Sequence, residues 1–290
     1  MRFRFFAAAA LLAAATTPAL AERKPALDLT AFDSALQMAE QMFTGTFGAA
    51  IVGPKGGVLY QHNGDVRFPF ASTFKTYACG AYLMRVDAGA DTLDRAVTLS
   101  EADIVPYSPV LKKRLGQGRV TLREACHATI TISDNTAGNI VLKAIGGPAA
   151  MTQTFRNLGE TVPRLDRLEP ELNNVGPNDV KDTTTPEASA RMMHALAFGD
   201  ALSTASKKQL LDWLRANAVG DRLLRAALPE GWSIADKTGA TRKDMRGIVA
   251  VVYPTAAPPV TMAIYMKGTT LALKQRDAII AGFGKALFRQ

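Results

Sequence analysis

Ser72-Thr73-Phe74-Lys75 places a hydroxyl and an amine three residues apart at the start of a helix predicted over 73–88. One helical turn separates them, so both lie on the same face. A serine hydroxyl becomes a good nucleophile only when an adjacent base takes its proton. A helix N-terminus also directs backbone N–H groups toward a developing oxyanion. Taken alone, the same string reads equally as a capping serine and a solvated lysine. Ser133-Asp134-Asn135 offers a hydroxyl that can relay a proton and an amide that both donates and accepts. It reads as well as a cap for a helix over 135–145. Lys237-Thr238-Gly239 falls at the end of a strand predicted over 232–237. Lysine there can pair with an anionic substrate and glycine admits close backbone, or the three simply end a strand in a turn. Two cysteines and the three histidines His62, His127 and His194 show no metal-ligand spacing, so no metal site is expected.

The elements that would position these residues fall into three blocks. Residues 30–43 read as an amphipathic helix capped by Thr30, with Phe32, Leu36, Ala39, Met42 and Phe43 along one face. Two strands, 47–52 and 57–61, follow around a Gly53-Pro54-Lys55-Gly56 turn. From Ser72 to about Asn217 the pattern is helical without convincing strands, with helices at 73–88, 122–131, 135–145, 149–158, 186–197 and 204–215. A polar stretch without periodicity between 163 and 185 is long for a structureless segment in a compact domain, and such segments are usually functional. Strands return at 232–237, 247–253 and 260–266, and a helix over 271–289 closes the chain. The predicted fold class is therefore α/β plus all-α: a discontinuous α/β domain, 22–63 and 216–290, holding an all-helical insertion over 64–215.

The first residues carry an export signature: Arg2 and Arg4, a short apolar run, and Ala19-Leu20-Ala21 as a cleavage site. A signal peptide over 1–21 implies export to the periplasm or secretion. No run reaches the ~18 apolar residues of a membrane span, and no cysteine follows the cleavage site to carry a lipid. The formal charge of +8 is spread over mixed segments, the longest basic run being Lys112-Lys113-Arg114, so a solvated surface is expected rather than a nucleic-acid partner. Cys79 and Cys126 read as one disulfide or as two buried thiols.

The three strings, in this order and in an exported chain of this size, resemble the motif set shared by class A β-lactamases and penicillin-binding proteins. Glu169-Pro170-Glu171-Leu172-Asn173, flanked by Arg167 and Asp182, looks like the class A Ω-loop over 164–182 and favours that family over the alternative, a penicillin-binding DD-peptidase. The resemblance covers nearly the whole mature chain and implies the serine β-lactamase/DD-peptidase-like fold. It also implies hydrolysis of penicillins and cephalosporins, as in antibiotic resistance, by a monomer whose partners are small β-lactams. By resemblance Ser72 is the nucleophile, Lys75 or Glu169 the acylation base, and Ser133 the proton relay. Glu169 with Asn173 holds the hydrolytic water, and the backbone N–H groups of Ser72 and Ala240 form the oxyanion hole. Tyr107 lies at the cleft rim, Asn135 meets the acylamino group, and Lys237, Thr238, Gly239 and Arg246 border the substrate carboxylate. The family also pairs cysteines behind the nucleophile helix, where Cys79 and Cys126 fall. Leu168 departs from the pattern, standing where an aromatic is frequent.

Overall fold

A computed structural model describes residues 26–288, so the signal peptide read over 1–21 lies outside the described residues. Helix α1 (Leu29–Met42) is capped by Asp28, whose carboxylate accepts from Ala31 N; Thr30, expected as the cap, is already inside the helix. Strands β1 (Thr46–Val52) and β2 (Val58–His62) follow. The short β3 (Phe68–Pro69) leads to helix α2 (Phe74–Asp87). Beyond it come β4 (Ala96–Thr98), β5 (Arg119–Thr121), α3 (Leu122–Thr131), α4 (Asn135–Ile145) and α5 (Gly147–Asn157). After the polar loop come β6 (Thr183–Thr184), α6 (Pro186–Ala197) and α7 (Thr204–Arg215). The chain ends in β7 (Ser233–Ala240), β8 (Arg246–Tyr253), β9 (Val260–Lys267) and α8 (Leu273–Leu287).

Two expectations are corrected. The middle of the chain does contain strands, β4 with β5 and β3 with β6, but at two or three residues each they are too short to show an alternating pattern. Strand β7 also runs on to Ala240, because its pairing with β8 continues to Ala240 opposite Arg246. The Lys237–Gly239 string therefore lies within the strand rather than at its end.

The five-stranded antiparallel sheet has the order β2-β1-β9-β8-β7. Its central strands read as continuous apolar runs because both faces are covered. Phe47, Ala49, Ile51, Ile248, Ala250, Ile264 and Met266 face a core shared with α1 and α8, whereas Ala50, Val249, Val251, Ala263 and Tyr265 join the core of the helical lobe. Strand β7 is the edge nearest that lobe, and its packing against the turn before α2 brings the first and third strings together. Cys79 on α2 is bonded to Cys126 on α3, with Cα atoms 5.7 Å apart. Among the described residues no helix is long and apolar enough to cross a membrane.

Candidate active site

Ser72 sits in the 3-10 turn Ala71–Thr73 that enters α2, one turn before Lys75. Ala71 is left-handed at φ 41° and fully buried, a conformation that costs a non-glycine residue of order 1–3 kcal/mol and persists only where packing dictates it. The turn is held by Thr73, whose N–H and hydroxyl both donate to Phe70 O, at 3.1 and 2.7 Å. Gly239 of β7 explains the close approach from the other side. A Cβ there would lie 3.0 Å from Phe70 O and 3.1 Å from Ser72 N, so only glycine lets the strand lie against the Ser72 turn without displacement.

Lys75 Nζ, fully buried, donates to Ser72 Oγ at 2.9 Å, Ser133 O at 2.9 Å and Asn135 Oδ1 at 2.6 Å. Glu169 Oε1 is a fourth neighbour at 3.2 Å, an ion-pair contact not aligned as a hydrogen bond. The stem passes beside Gly138, where a Cβ would lie 3.1 Å from Lys75 Cε. Burial lowers the lysine below its usual range, and the Glu169 charge opposes that shift in part. An amine so placed is suited to exchanging a proton with the Ser72 hydroxyl.

Ser133, left-handed at φ 65°, turns its hydroxyl between two lysines: Lys237 Nζ donates to it at 3.1 Å and Lys75 Nζ at 3.5 Å. Lys237 is buried and also donates to Thr238 O at 2.8 Å. Burial, followed by the neighbouring Lys75 charge, holds it well below the usual lysine range. An anion entering beside Lys237 would relieve that penalty. Asp134 caps α4 by accepting from Ala137 N, and its other oxygen accepts from Val110 N and Leu111 N.

The loop brings Glu169 to the floor of the same group. Arg167 Nε donates to Asp182 Oδ2 at 2.5 Å across the loop's neck, and Asp182 Oδ1 accepts from the backbone of Asp166 and Arg167. Asn173 Nδ2 donates to Glu169 Oε2 at 2.6 Å, while Asn173 Oδ1 is buried without a partner. Asn139 on α4 fixes the Glu169 backbone from both sides: it donates from Nδ2 to Glu169 O at 2.9 Å and accepts from Glu169 N at 2.8 Å. No group of three or more potential metal ligands occurs among the described residues.

The family described as "Beta-lactamase enzyme family" matches residues 31–290. The chain belongs to the class A β-lactamase family. Beta-lactamase CARB-3 and Beta-lactamase PSE-4, both of Pseudomonas aeruginosa, are each 41% identical over 249 residues, covering 86% of this chain and 86% of the relative. The solved structure of the last common ancestor of Gram-negative bacteria (GNCA4) class A β-lactamase superposes with a TM-score of 0.85 at 44% identity, covering 88% of this chain and 97% of that one. A β-lactamase structure from Xanthomonas campestris gives 0.85 at 35% identity, over 88% and 95% of the two chains.

In this class A β-lactamase the remaining residues singled out from the sequence lie on segments bonded to or paired with the same group. Asn135 Nδ2 donates to Pro106 O at 2.9 Å, and its N–H donates to Tyr107 O at 3.0 Å, with the Tyr107 side chain exposed beyond. Thr238 is buried on β7, and Ala240 ends that strand. Arg246 starts β8 directly across from Ala240, where its Nε donates to Asp277 Oδ1 at 2.7 Å and one terminal N–H reaches Gly239 O at 3.3 Å. Sequence reasoning missed Asn139 and Asp277. Asn139 looks like one more polar helix residue, four positions after the Asn135 it resembles, and Asp277 like a surface acid on the closing helix.

Proposed function

We propose that this class A β-lactamase hydrolyses the lactam ring through Ser72. The Ser72 oxygen attacks the lactam carbonyl carbon as its proton passes to Lys75, or to Glu169 through a water. Backbone N–H groups of Ser72 and Ala240 stabilise the tetrahedral oxyanion. As the C–N bond breaks, Ser133 hands its proton to the leaving ring nitrogen and is reprotonated from the lysine side. Lys237, Thr238 and Arg246 hold the substrate carboxylate, Gly239 leaves room for it, and Asn135 meets the acylamino group at a rim marked by Tyr107. A water donating to Glu169 Oε1 and Asn173 Oδ1, two buried acceptors without hydrogen-bond partners, then loses a proton to Glu169 and attacks the ester. The bond between the acyl carbon and Ser72 Oγ breaks, the proton held by Glu169 passes to the departing serine oxygen, and the acid product leaves. The steps need no metal or cofactor, and the enzyme acts as a monomer on a small β-lactam.

One observation carries this reading: a single buried amine, Lys75 Nζ, lies within 3.5 Å of Ser72 Oγ, Ser133 Oγ and Glu169 Oε1. The export signature over 1–21, together with a disulfide suited to an oxidising compartment, supports a periplasmic or secreted location. The test is turnover of a chromogenic cephalosporin by the exported chain. Steady multiple turnover that is abolished in Ser72→Ala is expected. A single stoichiometric burst from the unaltered protein would instead mark a penicillin-binding peptidase, and undiminished turnover by Ser72→Ala would remove the nucleophile assignment.

A further inference from the structure

Tyr107 is left-handed at φ 63° and exposes 58% of its surface, an unusual pairing of backbone constraint with a free aromatic side chain. Such backbone persists where neighbours over-determine it, and here the neighbours are Asn135, bonded to the Pro106 and Tyr107 carbonyls, and two hydroxyls that hold the flanking residues. Thr136, fully buried on the first turn of α4, accepts Val105 N–H on Oγ1 at 3.0 Å. Ser108, also buried, donates from its hydroxyl to Val105 O at 2.8 Å and closes a tight loop around Pro106 and Tyr107. The Ser108 oxygen accepts Thr136 N–H at 3.1 Å, and the two hydroxyl oxygens are 2.7 Å apart. Thr136 Oγ1 also lies 3.1 Å from Asp103 O. The residues on both sides of the Pro106-Tyr107 pair are thus fastened to one threonine of the helix that carries Asn135.

We propose that the Ser108–Thr136 hydroxyl pair is a positioning device that sets where the Tyr107 ring stands at the cleft rim, and through it the preference for β-lactams bearing an aryl acyl group. The proposal rests on the reading of Tyr107 as a substrate contact. Both hydroxyls are buried, and their hydrogen-bond partners include none of Ser72, Lys75, Ser133 and Glu169. Their separation from the reacting groups predicts an effect on selectivity between substrates rather than on the chemistry common to all of them. Asn135 fastens the same segment through the Pro106 and Tyr107 carbonyls, but it also meets Lys75, so its removal would not separate the two effects.

The experiment compares kcat/KM for a benzyl-bearing penicillin with that for a penicillin carrying a short alkyl acyl group. Thr136→Val, which keeps the side-chain shape, is expected to lower the aryl-to-alkyl ratio about 2–10-fold, the range that one aromatic contact contributes. Thr136→Ser, which keeps the hydroxyl, should restore it. Tyr107→Ala should produce the same loss, and combining it with Thr136→Val should add nothing further. Ser108→Ala repeats the test if Thr136→Val does not fold. An unchanged ratio in a folded variant overturns the proposal, as does an equal loss on both penicillins, which would mean that the pair acts through Asn135. Absence of hydrolysis of either penicillin by the unaltered enzyme would fault the functional reading instead.

Discussion

Glu169→Ala should separate the two halves of the proposed reaction. The carboxylate is buried, 3.2 Å from Lys75 Nζ and held by Asn173 Nδ2 at 2.6 Å. Removing it does not leave Lys75 stranded, because Ser72 Oγ, Ser133 O and Asn135 Oδ1 still accept from the amine. Breaking a buried ion pair typically costs about 3–5 kcal/mol. With three acceptors remaining, the lower end applies and the protein should stay folded. Because the Glu169 charge raises the Lys75 pKa against burial, its loss favours the neutral amine, the form that accepts the Ser72 proton. Acylation should therefore continue. Deacylation should lose its proposed general base, a contribution of about 10²–10⁴-fold, or roughly 2.7–5.4 kcal/mol of barrier. Stopped-flow assay with a chromogenic cephalosporin should show one product per enzyme and then a stall. Mass spectrometry after a penicillin should find the whole drug on the peptide carrying Ser72. Turnover at the unaltered rate by Glu169→Ala would refute the assignment of the hydrolytic base.

Two further outcomes test the scaffold. Cys79→Ala opens a bridge spanning a sequence separation of 47; the chain-entropy contribution is about 4 kcal/mol. A fall in melting temperature of roughly 10 °C is expected by calorimetry, with Ser72 still acylated by a penicillin; an unchanged melting temperature would show the bridge to be unimportant. Asp91 accepts two bonds from Arg95 and one from Tyr82, and these hold its carboxyl down to about 2. A depressed carboxyl contributes stability that is complete above its ordinary pKa near ~4 and is lost as pH falls toward the folded value. Asp91→Asn should therefore cost about 1–2 kcal/mol at pH ~7, after allowance for solvent screening of the half-exposed arginine. The melting-temperature gap between the two proteins should close toward pH ~2, and a gap independent of pH would mean that the Asp91 charge is not involved.

Much of this enzyme is written in short stretches of chain. Local rules place the helices: Asp134 ahead of α4, Pro186 at the start of α6 and left-handed Gly146 closing α4 all act within a turn or two. The same holds for the chemical strings, since Ser72 and Lys75 share a face by spacing alone and meet at 2.9 Å. Thr121 with Glu124 shows the limit of such rules in the other direction, a capping box that the sequence contains but that carries no chemistry. What spacing does not contain is distance between strings. Lys75 meets Ser133 across 58 residues because α2 packs on α4, and Lys237 meets it across 104 because edge strand β7 packs on the turn before α2. Asn139 gripping the Glu169 backbone and Asp277 holding Arg246 are likewise invisible locally. Each joins segments about 30 residues apart whose side chains have no common periodicity. The two-residue strands β3 and β6 escape for a related reason: a pairing that short has no alternation to read. Residue type and spacing determine which groups are available for acyl transfer. The packing of a sheet edge against a helical lobe decides that they share hydrogen bonds, because such a bond requires ångström placement that no pattern within one segment supplies.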